Sequence, residues 1–355
     1  MGVLYDVGRA LGAVGGDWRP DYSPKLVRRE LDIIRTDLHA NTVRICGRDP
    51  GRVLAAAEYA LGEGLEVWLS PELWNASPRR TLEYLVEVAA AAESLRRRWP
   101  DRLIFSVGNE LTLFMRGIVP GRSFPKRANL PVLREIVKSG RHTAPLRAFL
   151  ADAATGVRRV YHGPISYSSL PIEDVDWELF DVVGINYYWS TANAHRYVQT
   201  LDRLRSTTGK PVIVTEFGFP ACSDADDGKL LETGLNANPL QFGIASLIAH
   251  RLPTRRPVRP RVITIHQRDE AKQARLLTDQ LALLDQAGVE GAYIMSFSFP
   301  LAVYDDDPRY DLDATSLSLV RQLSPTAKQQ AITYPDMAWE PKQAFHAVAD
   351  YYANH

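Results

Sequence analysis

Cysteine is almost absent from this chain: Cys46 and Cys222 are the only two in 355 residues, too few for a disulfide framework. Charge of either sign is not in excess, because 42 Lys and Arg balance 42 Asp and Glu. A neutral chain lacks the basic field that holds a polyphosphate, which excludes nucleic acid as the main partner. No apolar run approaches the roughly eighteen residues of a membrane span, and Met1-Gly2-Val3-Leu4-Tyr5-Asp6 lacks the basic and then apolar regions of a secretory leader. The expectation is a soluble, cytoplasmic protein with no membrane partner. Histidines are few and scattered, with no H-E-x-x-H and no His and Cys close together in sequence, so neither a catalytic zinc nor any other metal is expected. No G-x-S-x-G elbow occurs. Gly12-Ala13-Val14-Gly15-Gly16 is not the G-x-G-x-x-G of a dinucleotide loop, and no cofactor is expected.

What is present is a regular alternation. Hydrophobic residues at 45% and charged residues at 24% suit a globular core. Ser23-Pro24, Asp49-Pro50 and Ser77-Pro78 each pair an N-cap with a proline at the first helical position. The helices they open run to about Leu38, Leu61 and Arg98. β-branched or aromatic runs follow, at Thr42–Cys46, Glu66–Ser70 and Leu103–Gly108. Further helices are expected at about 143–160, near Trp177, at 195–206, at Asp269–Ala287 and at Pro341–Tyr352. Strands are expected at Val3–Val7, Pro164–Ser168, Asp181–Asn186, Pro211–Thr215 and Ala292–Phe297. Eight strands alternating with helices predict an α/β fold, a single (β/α)8 TIM barrel spanning residues 1–355. Two connections are too long for simple loops: 111 to about 141 after strand four, and 219 to about 267 after strand seven. Both lie on the face where barrel active sites sit.

Two glutamates carry the chemistry. Glu110 closes Ser106-Val107-Gly108-Asn109-Glu110 and Glu216 closes Val212-Ile213-Val214-Thr215-Glu216, so both are expected in the barrel mouth. Two carboxyls facing one cleft can divide glycoside cleavage. One, its pKa raised, protonates the leaving oxygen, and the other attacks the anomeric carbon. Taken singly each is an ordinary strand-end glutamate; taken together, on strands four and seven, they point to catalysis.

This pattern resembles the clan A retaining glycoside hydrolases, which place Asn-Glu at the end of strand four and Glu at the end of strand seven. The resemblance implies Glu110 as general acid/base, Glu216 as nucleophile and Asn109 as a contact to the sugar 2-hydroxyl. Arg44, in Asn41-Thr42-Val43-Arg44-Ile45, matches the clan's strand-two arginine and would keep Glu216 ionised by the positive charge beside it. Gly184-Ile185-Asn186-Tyr187-Tyr188 is similar to the strand-six segment of family-one β-glycosidases, which implies Tyr188, with Tyr187 second, as a hydrogen-bond donor to the nucleophile. The Asn-Glu-Pro and Thr-Glu-Asn-Gly forms of family one are absent. Strand eight has no tryptophan for a sugar platform, leaving Phe297 or Phe299, or Trp189 and Trp74 from other loops, as substitutes. The stretch Trp339 to Phe345 is also similar to the end of uncharacterised actinobacterial barrel proteins, some labelled abortive infection, a label the residues themselves do not support.

Glu72 ends strand three and could bind sugar hydroxyls or an amino group, although a solvated loop glutamate is the plainer reading. Asp305-Asp306-Asp307 with Asp311 and Asp313 lacks calcium-loop spacing, and pairing with Arg309 explains it better. The basic run Arg255–Arg261 reads as a solvated loop. The function expected is a retaining glycoside hydrolase, in the manner of a β-glycosidase, acting on a small-molecule carbohydrate or glycoside. A cytosolic transglycosylase using the same site, and an idle barrel that binds a sugar or a protein, are the alternatives. Nothing in the sequence specifies an oligomeric state.

Overall fold

The proline-led start signals behave as their chemistry requires. Ser23, Asp49 and Ser77 accept from the backbone N–H groups of Leu26, Arg52 and Arg80, and open α1 (Pro24–Thr36), α2 (Pro50–Gly62) and α3 (Pro78–Arg98). A computed structural model describes residues 1–11, 16–228, 236–237, 241, 259–324 and 331–355. Eight parallel strands close into a barrel: β1 (Gly2–Asp6), β2 (Thr42–Gly47), β3 (Glu66–Pro71), β4 (Leu103–Asn109), β5 (Ile165–Ser169), β6 (Val183–Asn186), β7 (Val212–Phe217) and β8 (Gly291–Ile294). Each strand pairs with its neighbours in sequence, and β1 closes the ring against β8 at Gly2↔Tyr293 and Val3↔Ile294. The helices α4 (Thr143–Arg158), α5 (Tyr197–Thr208), α6 (Glu270–Gln286) and α7 (Gln343–Asn354) complete the outer layer. Between β5 and β6 only a single 3-10 turn, Trp177–Leu179, stands where the barrel pattern would put a helix.

Most of the apolar core lies between strands and helices. A second cluster fills the barrel interior, where Trp68, Val182, Ile213 and Tyr293 are buried together. The interior is therefore a solid floor, as barrels of this kind require. Above it, fully buried Arg44, Ser70, Ser106, Ser166 and Ser168 mark a polar upper storey.

Strand eight ends at Ile294, shorter than the expected Ala292–Phe297, because the chain bends away after Met295. The connection after β4 is not a bare loop but holds three short helices, Leu111–Phe114, Phe124–Arg127 and Leu130–Lys138. Most of the connection after β7, with Arg255–Val258 of the basic run, lies outside the described residues. Two small antiparallel pairs went unexpected: Ala10–Leu11 with Gly16–Asp17, and Val320–Gln322 with Trp339–Pro341. No helix among the described residues is long and apolar enough to cross a membrane.

Candidate active site

The C-terminal ends of β2, β3, β4, β6 and β7 bring the two glutamates into one cluster. Glu216 is buried at the end of β7. Its Oε1 accepts from Arg44 Nη1 at 2.9 Å and from Asn109 Nδ2 at 3.3 Å, and its Oε2 accepts from the Tyr188 hydroxyl at 2.9 Å. Three donors converging on one carboxylate hold it in a single orientation, two oxygens accounted for.

Glu110 sits differently. It is half-buried, and its Oε1 accepts one hydrogen bond from Asn186 Nδ2 at 2.7 Å. Burial pushes its carboxyl from the usual 4.5 to about 8, with the neighbouring Glu216 charge adding to the shift and Asn186 opposing it. Asn186 joins the two halves: the same Nδ2 also donates to Asn109 Oδ1 at 3.0 Å, and Asn186 Oδ1 accepts from Thr215 Oγ1 at 2.7 Å. The result is one carboxyl surrounded by donors beside another held neutral at pH 7. A carboxyl kept protonated beside one wrapped in donors is an arrangement that can divide the work of an acid from that of a nucleophile.

The backbone explains how adjacent residues Asn109 and Glu110 both reach the cleft, against the alternation of a strand. The β4–β5 register slips between Ser106 and Asn109, Gly108 takes φ +148°, and Glu110 itself is left-handed at φ 45°. The turn is clamped from below. Leu111 N donates to the Tyr167 hydroxyl at 2.8 Å, which donates to Glu173 Oε2 at 2.8 Å, while Glu173 Oε1 accepts from Thr112 N at 3.0 Å.

Of the other expected residues, Tyr188 is the strand-six tyrosine that reaches Glu216, and its hydroxyl also lies 3.1 Å from Met295 Sδ. Burial and the Glu216 charge hold that phenol well above its usual range, so it remains a donor. Tyr187 faces the other way, stacked on Tyr197 with ring centroids 4.5 Å apart. The strand's alternation sends it into the helix layer. Glu72 is not a solvated loop residue: it is buried, 3.5 Å from both Arg9 Nη1 and Arg44 Nη2, and its Oε2 accepts from Trp74 Nε1 at 3.0 Å.

Phe297 is no platform. It is wholly enclosed between Tyr5 and Trp339, on the core side of the bend that follows β8. Met295 faces the cluster from that strand instead. Half-buried aromatics lie elsewhere: Phe299 against Trp18 at 4.4 Å and Trp18 edge-on to Trp74 at 6.3 Å, with Trp74 stacked on buried Phe114 at 4.0 Å. Arg9 lies under this band, 5.7 Å from Trp18 and 5.6 Å from Trp74, within cation–π range. Trp189 follows Tyr188 and meets Phe219 edge-on at 6.1 Å.

Sequence reasoning missed Arg9, Trp18, Asn186 and Met295 as members of this site. Only Asn186 carried a signal, its place at a strand end beside Tyr188. Of the acidic run, Asp307 pairs with Arg309 at 2.6 Å as expected, whereas Asp311 and Asp313 are neither solvated nor paired with Arg309: both are buried and pair with Arg268 at 2.8 and 3.0 Å.

No family model matches the sequence, and a search of curated proteins finds no match. Solved structures do match. A GH113 β-1,4-mannanase superposes with TM-score 0.57 at 14% identity, covering 100% of this chain and 98% of its own. The GH113 β-mannanase AaManA from Alicyclobacillus acidocaldarius gives 0.52 at 16% identity, with 99% and 96% covered. A β-glucuronidase from an uncultured Clostridium gives 0.52 at 17%, with 94% of this chain but 48% of that one. The chain has the (β/α)8 fold of these glycoside hydrolases.

Proposed function

We propose that the protein is a retaining glycoside hydrolase acting by double displacement. The observation that carries the proposal is the unlike pair of carboxyls in one cleft, Glu110 pushed up to about 8 and Glu216 held by Arg44, Asn109 and Tyr188.

In this mechanism Glu216 attacks the anomeric carbon while Glu110 gives its proton to the departing oxygen. A glycosyl ester forms on Glu216. Glu110, now ionised, takes a proton from water, which attacks the same carbon and releases Glu216. Tyr188 and Arg44 fix the Oε atoms of the nucleophile, and Asn109 lies where a 2-hydroxyl would meet it. The mechanism calls on no cofactor.

The substrate favoured is a neutral sugar. Among the described residues, both arginines that reach this cluster are already matched by carboxylates, Arg9 by Asp6 at 2.5 Å and Arg44 by Glu216 at 2.9 Å, each with Glu72 at 3.5 Å. A uronate would have to displace one of them. Half-buried Phe299, Trp18 and Trp74 offer apolar surface of the kind on which sugar rings stack, with Trp74 backed by buried Phe114.

The test is a pair of variants on an activated aryl glycoside. Glu216→Ala should lose turnover altogether. Glu110→Ala should lose about 10²–10⁴-fold on substrates with poor leaving groups and much less on nitrophenyl glycosides, since general acid help matters most where the leaving group is basic. Equal activity of wild type and Glu216→Ala on any hydrolysed glycoside sinks the assignment.

A further inference from the structure

Away from the catalytic cluster, the base of the connection after β7 gathers three side chains that the sequence keeps far apart. Ser223 N donates to Gln267 O at 2.9 Å and Asp269 N to Ala221 O at 2.8 Å, with Cys222 bridged to Arg268 in antiparallel sense. This short ladder sets Cys222 and Asp224 of the outgoing limb against His266 of the returning limb. One ligand atom from each, the sulfur, a carboxylate oxygen and an imidazole nitrogen, all lie within 4.8 Å of one another. Cys222 is fully buried and the His266 side chain is 11% exposed. Asp224 Oδ2 lies 2.8 Å from His266 Nδ1, and the Cys222 thiol is hydrogen-bonded to the same carboxylate, whose Oδ1 is enclosed although the side chain as a whole is 46% exposed. A thiol proton shared with a carboxylate beside an imidazole is the position that a thiophilic cation can take over.

We propose that Cys222 Sγ, the Asp224 carboxylate and a ring nitrogen of His266 form a binding site for a borderline-soft divalent cation, Zn²⁺ above all. The donor set decides the metal class. Sulfur, nitrogen and oxygen together suit Zn²⁺, whereas Mg²⁺ and Ca²⁺ take oxygen ligands almost exclusively. Zinc bonds of about 2.0–2.3 Å space tetrahedral ligand atoms by roughly 3.3–3.6 Å. The His266 and Asp224 atoms must therefore part by about half an ångström, with a water in the fourth position. Binding replaces the Cys222 thiol proton with the metal and releases that proton to solvent.

The cation would act as a clip. It joins two limbs of a connection whose ends the barrel already holds, at the C-terminal end of β7 and the start of α6, and neither Glu110 nor Glu216 is among its ligands. It lowers the cost of holding those limbs together and leaves the glycosidic chemistry to the carboxyls. Sequence alone concealed the site because 44 positions separate Cys222 from His266.

The experiment uses the full chain, reduced and stripped with a chelator, titrated calorimetrically with zinc chloride. Melting temperature is followed in parallel, and Co²⁺ is loaded as a spectroscopic probe. One saturable equivalent, a rise in melting temperature and a thiolate-to-cobalt charge-transfer band are the results expected. Cys222→Ser should remove the band, and His266→Ala and Asp224→Asn should each weaken zinc binding at least tenfold, with circular dichroism unchanged in the metal-free state. Should Cys222→Ser fold poorly, the other two variants decide. The proposal is overturned if wild type shows no saturable equivalent, if bound Co²⁺ shows no thiolate band, or if affinity is unchanged in His266→Ala and Asp224→Asn.

Discussion

At the scale of single residues, Glu110 makes the clearest commitment. Its carboxyl is held at about 8 against an ordinary 4.5, chiefly by burial. Between those values an unfolded chain has ionised the group and the folded chain has not, so the unfolded state binds fewer protons. Stability must therefore fall as pH rises through that window. Glu110→Gln keeps a neutral side chain and lacks this dependence, so its melting temperature should gain on wild type progressively from about pH 5 to 8; parallel curves would show that burial does not hold the proton. In the proposed hydrolysis, kcat/KM should fall about tenfold per unit above pH 8 as Glu110 ionises. Asn186→Ala should move that limb upward, since the amide it removes favours the charged form. Both glutamates were legible in the sequence because each ends a strongly patterned strand, and Arg44, in the middle of β2, only through the clan's strand-two arginine. Phe297 and Met295 were not, because the bend after Ile294 decides which of them faces the cleft, and no periodicity survives a bend.

At the scale of elements, the turn that carries Glu110 depends on groups outside it. A non-glycine residue in the left-handed region costs about 1 kcal/mol or more and persists only where its surroundings hold it. Here the Tyr167 hydroxyl accepts from Leu111 N and donates to Glu173, both 2.8 Å, and all three are substantially enclosed. Tyr167→Phe should leave the Leu111 N–H without a partner and cost about 1–3 kcal/mol of unfolding free energy, measured by denaturant titration. Its kcat should fall more than its KM rises, because Tyr167 acts only through the position of Glu110. Unchanged stability and kcat would show that the turn holds itself. The eight strands and the capped helices were readable because serine or aspartate before proline starts a helix by local chemistry alone. The short pairs Ala10–Leu11 with Gly16–Asp17 and Val320–Gln322 with Trp339–Pro341 were not, since two- and three-residue strands carry no period. Of the band of Trp18, Trp74, Phe114 and Phe299 the sequence pointed only to Trp74 and Phe299, singly, because four separate connections supply it and only closure of the barrel assembles it.

At the scale of the whole molecule, the two ends of the chain fasten the ring. The Tyr352 hydroxyl on α7 donates to Gly2 O at 2.9 Å, at the seam where β1 meets β8 through only two register pairs. The Trp339–Lys342 stretch ties this end to the neighbouring helix α1 and to the connection after β8. Trp339 Nε1 donates to Glu30 Oε1 of α1 at 2.8 Å, and fully buried Lys342 meets Asp313 at 3.0 Å. Lys342 stands between the short strand at Trp339–Pro341 and α7, so its ammonium pins both to the turn at Asp313. Removing one partner of a buried pair strands the other charge and costs about 3–5 kcal/mol. Asp313 keeps Arg268 at 3.0 Å, so Lys342→Ala should sit at the lower end of that range. Lys342→Met, which refills the space without the charge, should lose less. If stability by denaturant titration is unchanged in Lys342→Ala, the closing of the barrel rests on the apolar contacts of α7 with α6, and Tyr352→Phe becomes the substitution that separates the seam from the helix packing.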